Sequence, residues 1–343
     1  MNLTGDPLFQ LNLLILLTWR GYPRDEIDPI FVDAGYNLFR IEKNITIPDI
    51  TRRRFETANF LLGNSVSPDL ILENNTLKVF LAIECKRASF GASSTTANQL
   101  RKLLSLNGKD LGRIIGKTDN HAWSSLVTYI LDTGNSSLMF ETLQEVATQI
   151  SSLGIESAGI ASLELEHTQD GIYLRKPENA PDLPNIALSS PKRVMALEIG
   201  TDPRPLYLIP YAPSSGSQPD PYAKKAFEER IRSSVGIMLG HINEQAQEYE
   251  LDSVISASVQ AWNVWDNNDE KQNIRAHVRI FIRNIFTELR AITGCSCTIT
   301  KSTISVPAVN PETIEKVRRY LLGTSFRRAS LDITGSFQYH IDD

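Results

Sequence analysis

Residues 77–83 read Leu-Lys-Val-Phe-Leu-Ala-Ile, and the charged triplet Glu84-Cys85-Lys86 follows directly. A run this apolar and this rich in β-formers predicts a strand in the interior of a sheet, covered on both faces. A second strand is predicted over 66–73, carrying Leu70, Ile71 and Leu72. Between the two lies Glu73-Asn74-Asn75-Thr76, and Asn tolerates the positive φ that tight hairpin turns require. The stretch 66–86 therefore reads as an antiparallel hairpin, and the rest of the chain has to supply what buries it.

Three charged residues break the apolar pattern: Asp69 on the first strand, Glu84 and Lys86 at the end of the second. Side chains alternate along a strand, so Glu84 and Lys86 share a side and Cys85 points the other way. Two carboxylates at the end of a buried strand carry a large desolvation penalty unless something offsets it. A divalent cation does so. Asp69 and Glu84 offer hard oxygen ligands, the Cys85 carbonyl lies between the charged side chains, and Mg²⁺ prefers such oxygens while keeping several waters. Lys86 is placed to orient a water or to stabilise negative charge developing on a phosphate.

Pro68-Asp69, fourteen intervening residues and Glu84-Cys85-Lys86 resemble the signature of the PD-(D/E)XK nucleases, the restriction-endonuclease-like superfamily. The resemblance covers roughly residues 50–130. It implies an α/β fold with a mixed sheet flanked by helices, and Mg²⁺-dependent hydrolysis of phosphodiester bonds with Mn²⁺ as a substitute. It implies Asp69, Glu84 and Cys85 as the metal-binding set, with Lys86 acting on the attacking water. It also implies a further glutamate on the helix before the first hairpin strand, where Glu56 matches and Glu42 is the alternative. On the helix after the hairpin some branches place a glutamine followed four residues later by a tyrosine. Here Gln99 is followed by Leu103, a departure from that pattern.

The elements around the hairpin suit such a core. Asp6 as cap and Pro7 as first residue predict a buried helix ending near Gly21. Its apolar run, 11–17, is too short to span a bilayer. A short helix follows Asp28-Pro29, then a strand over 37–47, then a helix over 50–62 capped by Asp49 and closed by Gly63. After the hairpin come a helix over 95–106, a strand over 123–131 and a helix over 136–152. Residues 51–120 hold eleven Lys/Arg against six Asp/Glu, although the chain as a whole is −5. A basic segment around an acidic cluster suits a polyanionic substrate.

Prolines at 177, 181, 184 and 191 place a boundary, giving a nuclease-like domain over 1–180 and a C-terminal α+β domain over 193–343. In the second domain, strands are read over 193–199, 206–211, 297–306 and 331–340. Helices are read over 221–248, 273–292 and 311–322. Arg275, Arg279 and Arg283 recur every four residues, so they share a helix face that meets solvent or DNA. Three cysteines cannot form a disulfide framework and favour a cytoplasmic home. Cys295 and Cys297 read as thiols on a strand, and the five histidines as structural. No phosphate-binding loop of the Gly-x4-Gly-Lys type is present. The functional expectation is an endonuclease acting on DNA, in prokaryotic restriction or anti-phage defence. The C-terminal half would serve recognition, regulation, homo-oligomerisation or binding of a partner subunit. RNA cleavage by the same chemistry and a non-catalytic interaction protein on the same fold are the alternatives.

Overall fold

A computed structural model describes residues 3–19, 27–197 and 221–323. The chain divides into two units: residues 1–200 with 264–267, and residues 201–263 with 268–343.

The first unit is α/β, built on one seven-stranded mixed sheet flanked by helices. Its strands are β1 (Asn37–Ile41), β4 (Leu70–Asn74), β5 (Val79–Cys85), β6 (Ser124–Asp132), β7 (Gly159–His167), β8 (Gly171–Arg175) and β9 (Lys192–Ala196), paired in that order. β5, β6 and β7 run parallel, and the pairs β1–β4, β4–β5, β7–β8 and β8–β9 are antiparallel. β2 (Ile45–Thr46) and β3 (Ser65–Val66) form a separate two-stranded ribbon. All seven residues of β5 are buried, which follows from its apolar run.

The helices sit where the crossovers require them. α1 (Pro7–Leu17) starts where the Asp6 carboxylate accepts from the Leu8 amide, and it packs against β5. α2 (Ile30–Asp33) is short and ends before Gly35, whose φ is +90°. α4 (Ala97–Leu104) and α5 (Gly108–Ile114) connect β5 to β6, and α6 (Ser136–Ser152) connects β6 to β7. Gly108 lies so close to β6 that an added Cβ would come 2.2 Å from the Trp123 carbonyl oxygen. One face of the sheet buries Ile71, Phe80, Val127 and Tyr129 against Leu100 and Leu103 of α4 and Leu143 and Val146 of α6. Burial of side chains of this size stabilises by about 1.5–3 kcal/mol each.

The sequence expectations are corrected at several points. The helix predicted over 50–62 is α3 (Asp49–Thr57), and Pro48, not Asp49, occupies the cap. Asn59 turns left-handed at φ +61°. The Phe60 amide then donates to the Phe55 carbonyl and the Asn59 amide to that of Glu56. The two rings meet edge to face at 6.3 Å. This is a Schellman closure with Asn in the usual glycine position. The hairpin turn is longer than expected. Asn74 pairs with Val79, the Asn74 side chain accepts from the Thr76 and Leu77 amides, and the positive φ falls on Lys78. The strand over 37–47 breaks at Glu42, φ +52°. The two strands β7 and β8, absent from the sequence reading, complete the sheet. β9 joins the same sheet, so the first unit extends past the boundary set by the prolines.

The second unit contains α7 (Pro221–Gly240), α8 (Leu251–Ser258), α9 (Asn268–Thr293) and α10 (Pro311–Leu322). A three-stranded sheet of β10 (Gln247–Glu250), β12 (Thr303–Val306) and β11 (Thr298–Ile299) accompanies them. The Asn310 side chain caps α10 by accepting from the Thr313 amide at 2.8 Å. α7 ends eight residues before the expected 248, because β10 begins there; 297–306 is a hairpin of two short strands, not one strand. The strands read over 206–211 and 331–340 lie outside the described residues.

Candidate active site

The register of β4 against β5 pairs Leu70 with Ile83. Asp69, the residue before β4, therefore lies beside the end of β5. Its Oδ2 accepts from the Cys85 amide at 2.7 Å, and its own carbonyl accepts from the Glu42 amide at 3.1 Å. Asp69 is thus fixed from both sides before any ligand is considered. Cys85 takes part through its backbone N–H; its thiol is buried and burial pushes it well above its ordinary value.

Glu84 has no exposed surface. Lys86 Nζ lies 2.8 Å from its Oε2, and Gln99 Nε2 of α4 donates to its Oε1 at 2.9 Å. The strand alternation that put Glu84 and Lys86 on one side is realised, and α4 covers that side. Burial, then repulsion from Asp69, pushes the Glu84 carboxyl up to about 8, against the pull of Lys86. Asp69 is raised as well, by burial, with Lys86 and the Cys85 amide opposing. Burial pulls the Lys86 ammonium down, but Glu84 and Asp69 outweigh it and the net shift is upward. The group is therefore two carboxylates competing for one cation, with Glu84 wholly buried and Asp69 and Lys86 partly so.

The other two glutamates considered are held elsewhere. Glu56 is half-exposed on α3 and pairs with Arg52 at 3.6 Å. Glu42 accepts from Trp265 Nε1 at 3.0 Å and Asn267 Nδ2 at 2.9 Å. Among the described residues no group of three or more His, Cys, Asp or Glu could hold a metal ion. The acidic set at the strand end is Asp69 with Glu84.

Two residues of this site escaped the sequence reading. Gln10 of α1 is fully buried, and its Nε2 donates to the carbonyls of Thr4 at 2.7 Å and Lys86 at 3.1 Å. It ties the helix to the backbone of the catalytic candidate. A lone glutamine inside an apolar helix was the available signal. Tyr129 of β6 pairs in register with Glu84, is fully buried, and its hydroxyl has no hydrogen-bond partner among the described residues. Burial, then Glu84 and Asp69, hold that hydroxyl well above its ordinary value.

The basic surplus of 51–120 is largely committed to the fold. Arg101 is buried, donates to the Ala92 carbonyl and stacks 4.4 Å over Phe60. Lys102 donates to the Ser65 carbonyl, Arg54 to that of Gly154, and Lys117 pairs with Glu73. Arg53, Arg54, Arg87 and Lys109 are the exposed members of that segment without an ion pair among the described residues.

No protein-family model, no curated protein and no solved structure matches this chain. Among the described residues no helix is long and apolar enough to cross a membrane.

Proposed function

We propose that this chain is a Mg²⁺-dependent endonuclease with a restriction-endonuclease-like core, acting on DNA through Asp69, Glu84 and Lys86. The observation that carries the reading is the strand-end cluster. Glu84, wholly buried, shares its surroundings with Asp69 and is held by Lys86 and Gln99, and its carboxyl stands near 8. A folded protein has little structural reason to keep two mutually repelling carboxylates there. The order of helix, antiparallel hairpin, crossover helices and parallel strand is the arrangement such a core needs.

The donor set fits Mg²⁺, which binds through one or two carboxylates and retains waters. It does not fit zinc, whose protein sites take three or four ligands built on histidine or cysteine side chains. Asp69 and Glu84 would hold the ion, with the Cys85 carbonyl as a further oxygen. When bound, the ion lowers the pKa of a water and neutralises charge on a phosphate. The chain's own residues do the rest. Gln99 fixes the rotamer of Glu84. The Cys85 amide fixes Asp69. Lys86, one residue beyond the strand, orients the attacking water and offsets charge on the phosphorane-like transition state. Gln10 holds the Lys86 backbone in place.

The test is incubation of the full chain with supercoiled plasmid and, separately, with a structured RNA, each with Mg²⁺, Mn²⁺ or EDTA. Metal-dependent nicking that disappears in Asp69→Asn and Lys86→Ala is the expected result. Cleavage of RNA alone would move the substrate assignment. No cleavage of either, with the variants binding metal as the wild type does, would leave the second reading, a non-catalytic interaction protein. That reading draws on the absence of a third acidic side chain from the described cluster. A role in restriction or phage defence belongs to the same proposal and rests on the resemblance; a cytoplasmic location rests on the three cysteines, too few for a disulfide framework.

A further inference from the structure

The second unit carries a groove of about 410 Å³ between α9 and the β11–β12 turn, lined by Ala276, Arg279, Ile280, Arg283, Thr300 and Lys301, among others. Arg275, Arg279 and Arg283 share one face of α9, but they are not equivalent. Arg275 forms a bidentate pair with Asp252, both contacts 2.7 Å, and so is neutralised. Arg279 donates to the Lys301 carbonyl at 3.2 Å, which joins the two walls of the groove without cancelling any charge. Arg283 and Lys301 are exposed, and among the described residues Arg279, Arg283 and Lys301 form no ion pair. Among the described residues no acidic side chain lines the groove. Ile280, 57% exposed, stands between the two arginines in sequence and lines the same groove.

We infer that this groove binds the phosphate backbone of a nucleic-acid strand. Three cations with no local counter-charge, on a chain whose net charge is −5, mark a site complementary to a polyanion. Arg279 and Arg283 are one helical turn apart, about 6 Å along the axis, so they can engage different phosphates of one strand. Ile280 offers an apolar surface to sugar or base between those contacts. A lipid surface is broad and flat and does not enter a concave groove, whereas an extended strand does. The choice of nucleic acid over another polyanion rests on the nuclease reading. The groove would then hold substrate independently of the metal-binding carboxylates.

The experiment is fluorescence anisotropy of the full chain with a labelled DNA oligonucleotide, single-stranded and duplex, over a salt series. EDTA is present throughout, so binding is read without cleavage. The wild type should bind with an affinity that falls steeply with salt. Arg279→Glu/Arg283→Glu/Lys301→Glu should lose at least about tenfold in affinity at low salt. Its slope of log affinity against log salt should be shallower by about 2.1 for the single strand, at ~0.7 per phosphate contact, and by about 2.7 for the duplex, at ~0.9. Arg279→Lys/Arg283→Lys should keep most of the slope, which separates lost charge from lost folding; circular dichroism of each variant checks the fold. Equal affinity of the wild type and the triple charge-reversal variant would overturn the inference. So would binding to phosphatidylserine vesicles that is as tight as binding to DNA. Failure of metal-dependent cleavage with this salt-dependent binding intact would overturn the nuclease reading alone.

Discussion

Replacing Glu84 by Gln probes the electrostatics of the strand end while keeping the size of the side chain. In the folded protein the Glu84 carboxyl stands at about 8, against 4.5 for the ordinary group. Between those values the folded protein holds a proton that the unfolded chain has released. Stability then falls as pH rises. The contribution is complete below about 4.5 and is lost as pH climbs through about 8, opposite to a salt-bridged carboxylate whose pKa is depressed. At about 1.36 kcal/mol per unit, the metal-free wild type should lose about 3 kcal/mol between pH 5.5 and pH 8. Lys86 shifts upward from 10.5, outside this window. Asp69 is raised chiefly by burial, which persists in the variant, so comparing the two proteins isolates Glu84.

The assay is urea unfolding followed by circular dichroism at both pH values, in EDTA. Glu84→Gln should lose about 3 kcal/mol less than the wild type over that window, and at pH 8 it should match or exceed the wild type. With its own amide turned over, Gln99 can accept from the new NH2 through Oε1 while the new carbonyl oxygen faces the Lys86 ammonium. Parallel pH profiles for the two proteins would refute the claim that Glu84 is buried as a proton-holding group. Adding Mg²⁺ should restore the wild type at pH 8 more than at pH 5.5, because the ion binds the ionised pair.

Other outcomes follow from the same geometry. Mg²⁺ should raise the melting temperature of the wild type and leave Asp69→Asn unmoved; an undiminished shift in the variant would put the ion elsewhere. Lys86→Ala should slow plasmid cleavage by about 10²-fold, roughly 2.7 kcal/mol of barrier, while keeping the Mg²⁺-induced shift in melting temperature. Full activity in a folded Lys86→Ala protein would sink the mechanism. In the Schellman turn, Asn59→Gly should leave the melting temperature equal or higher and Asn59→Ala should cost about 1 kcal/mol, read by thermal unfolding.

Where the chain's local signals were complete, the sequence located the structure closely. Helix 311–322 begins where Asn310 and Pro311 supply cap and first turn, and helix 136–152 has an unbroken apolar face. The hairpin and its paired charges were legible for the same reason, whereas Gln99 was named through the resemblance and not from a local signal. Long-range contacts were not. Glu42 breaks its strand where its carboxylate meets Trp265 and Asn267, more than two hundred residues away in sequence. Helix 50–62 stops early because Phe60 folds back onto Phe55. β7 and β8 did leave a trace: Leu163 and Leu165 alternate with Glu164 and Glu166, and Asp170-Gly171 marks the turn. Glu164 sits buried mid-sheet against Arg175 at 2.5 Å, a polar residue that weakened the apolar signal.

The position of the carboxylate pair is a consequence of register. β5 is apolar on both faces, so hydrophobic burial alone does not choose between two registers one residue apart. A slip of one would turn Glu84 and Lys86 toward α1 and bring Cys85 beside Gln99. Three local contacts oppose that slip. The Asn74 side chain closes the turn by accepting from Thr76 and Leu77, Asp69 accepts the Cys85 amide, and Gln10 holds the Lys86 carbonyl. Two of these contacts lie at the strand end that carries the charges. The residues that would perform the chemistry are therefore also among those that set the register of the strand. Removing Asp69 altogether, as in Asp69→Ala, should loosen β5 at that end and raise hydrogen exchange at the Cys85 and Lys86 amides. Exchange there as slow as in the wild type would mean that the turn at Asn74 holds the register unaided.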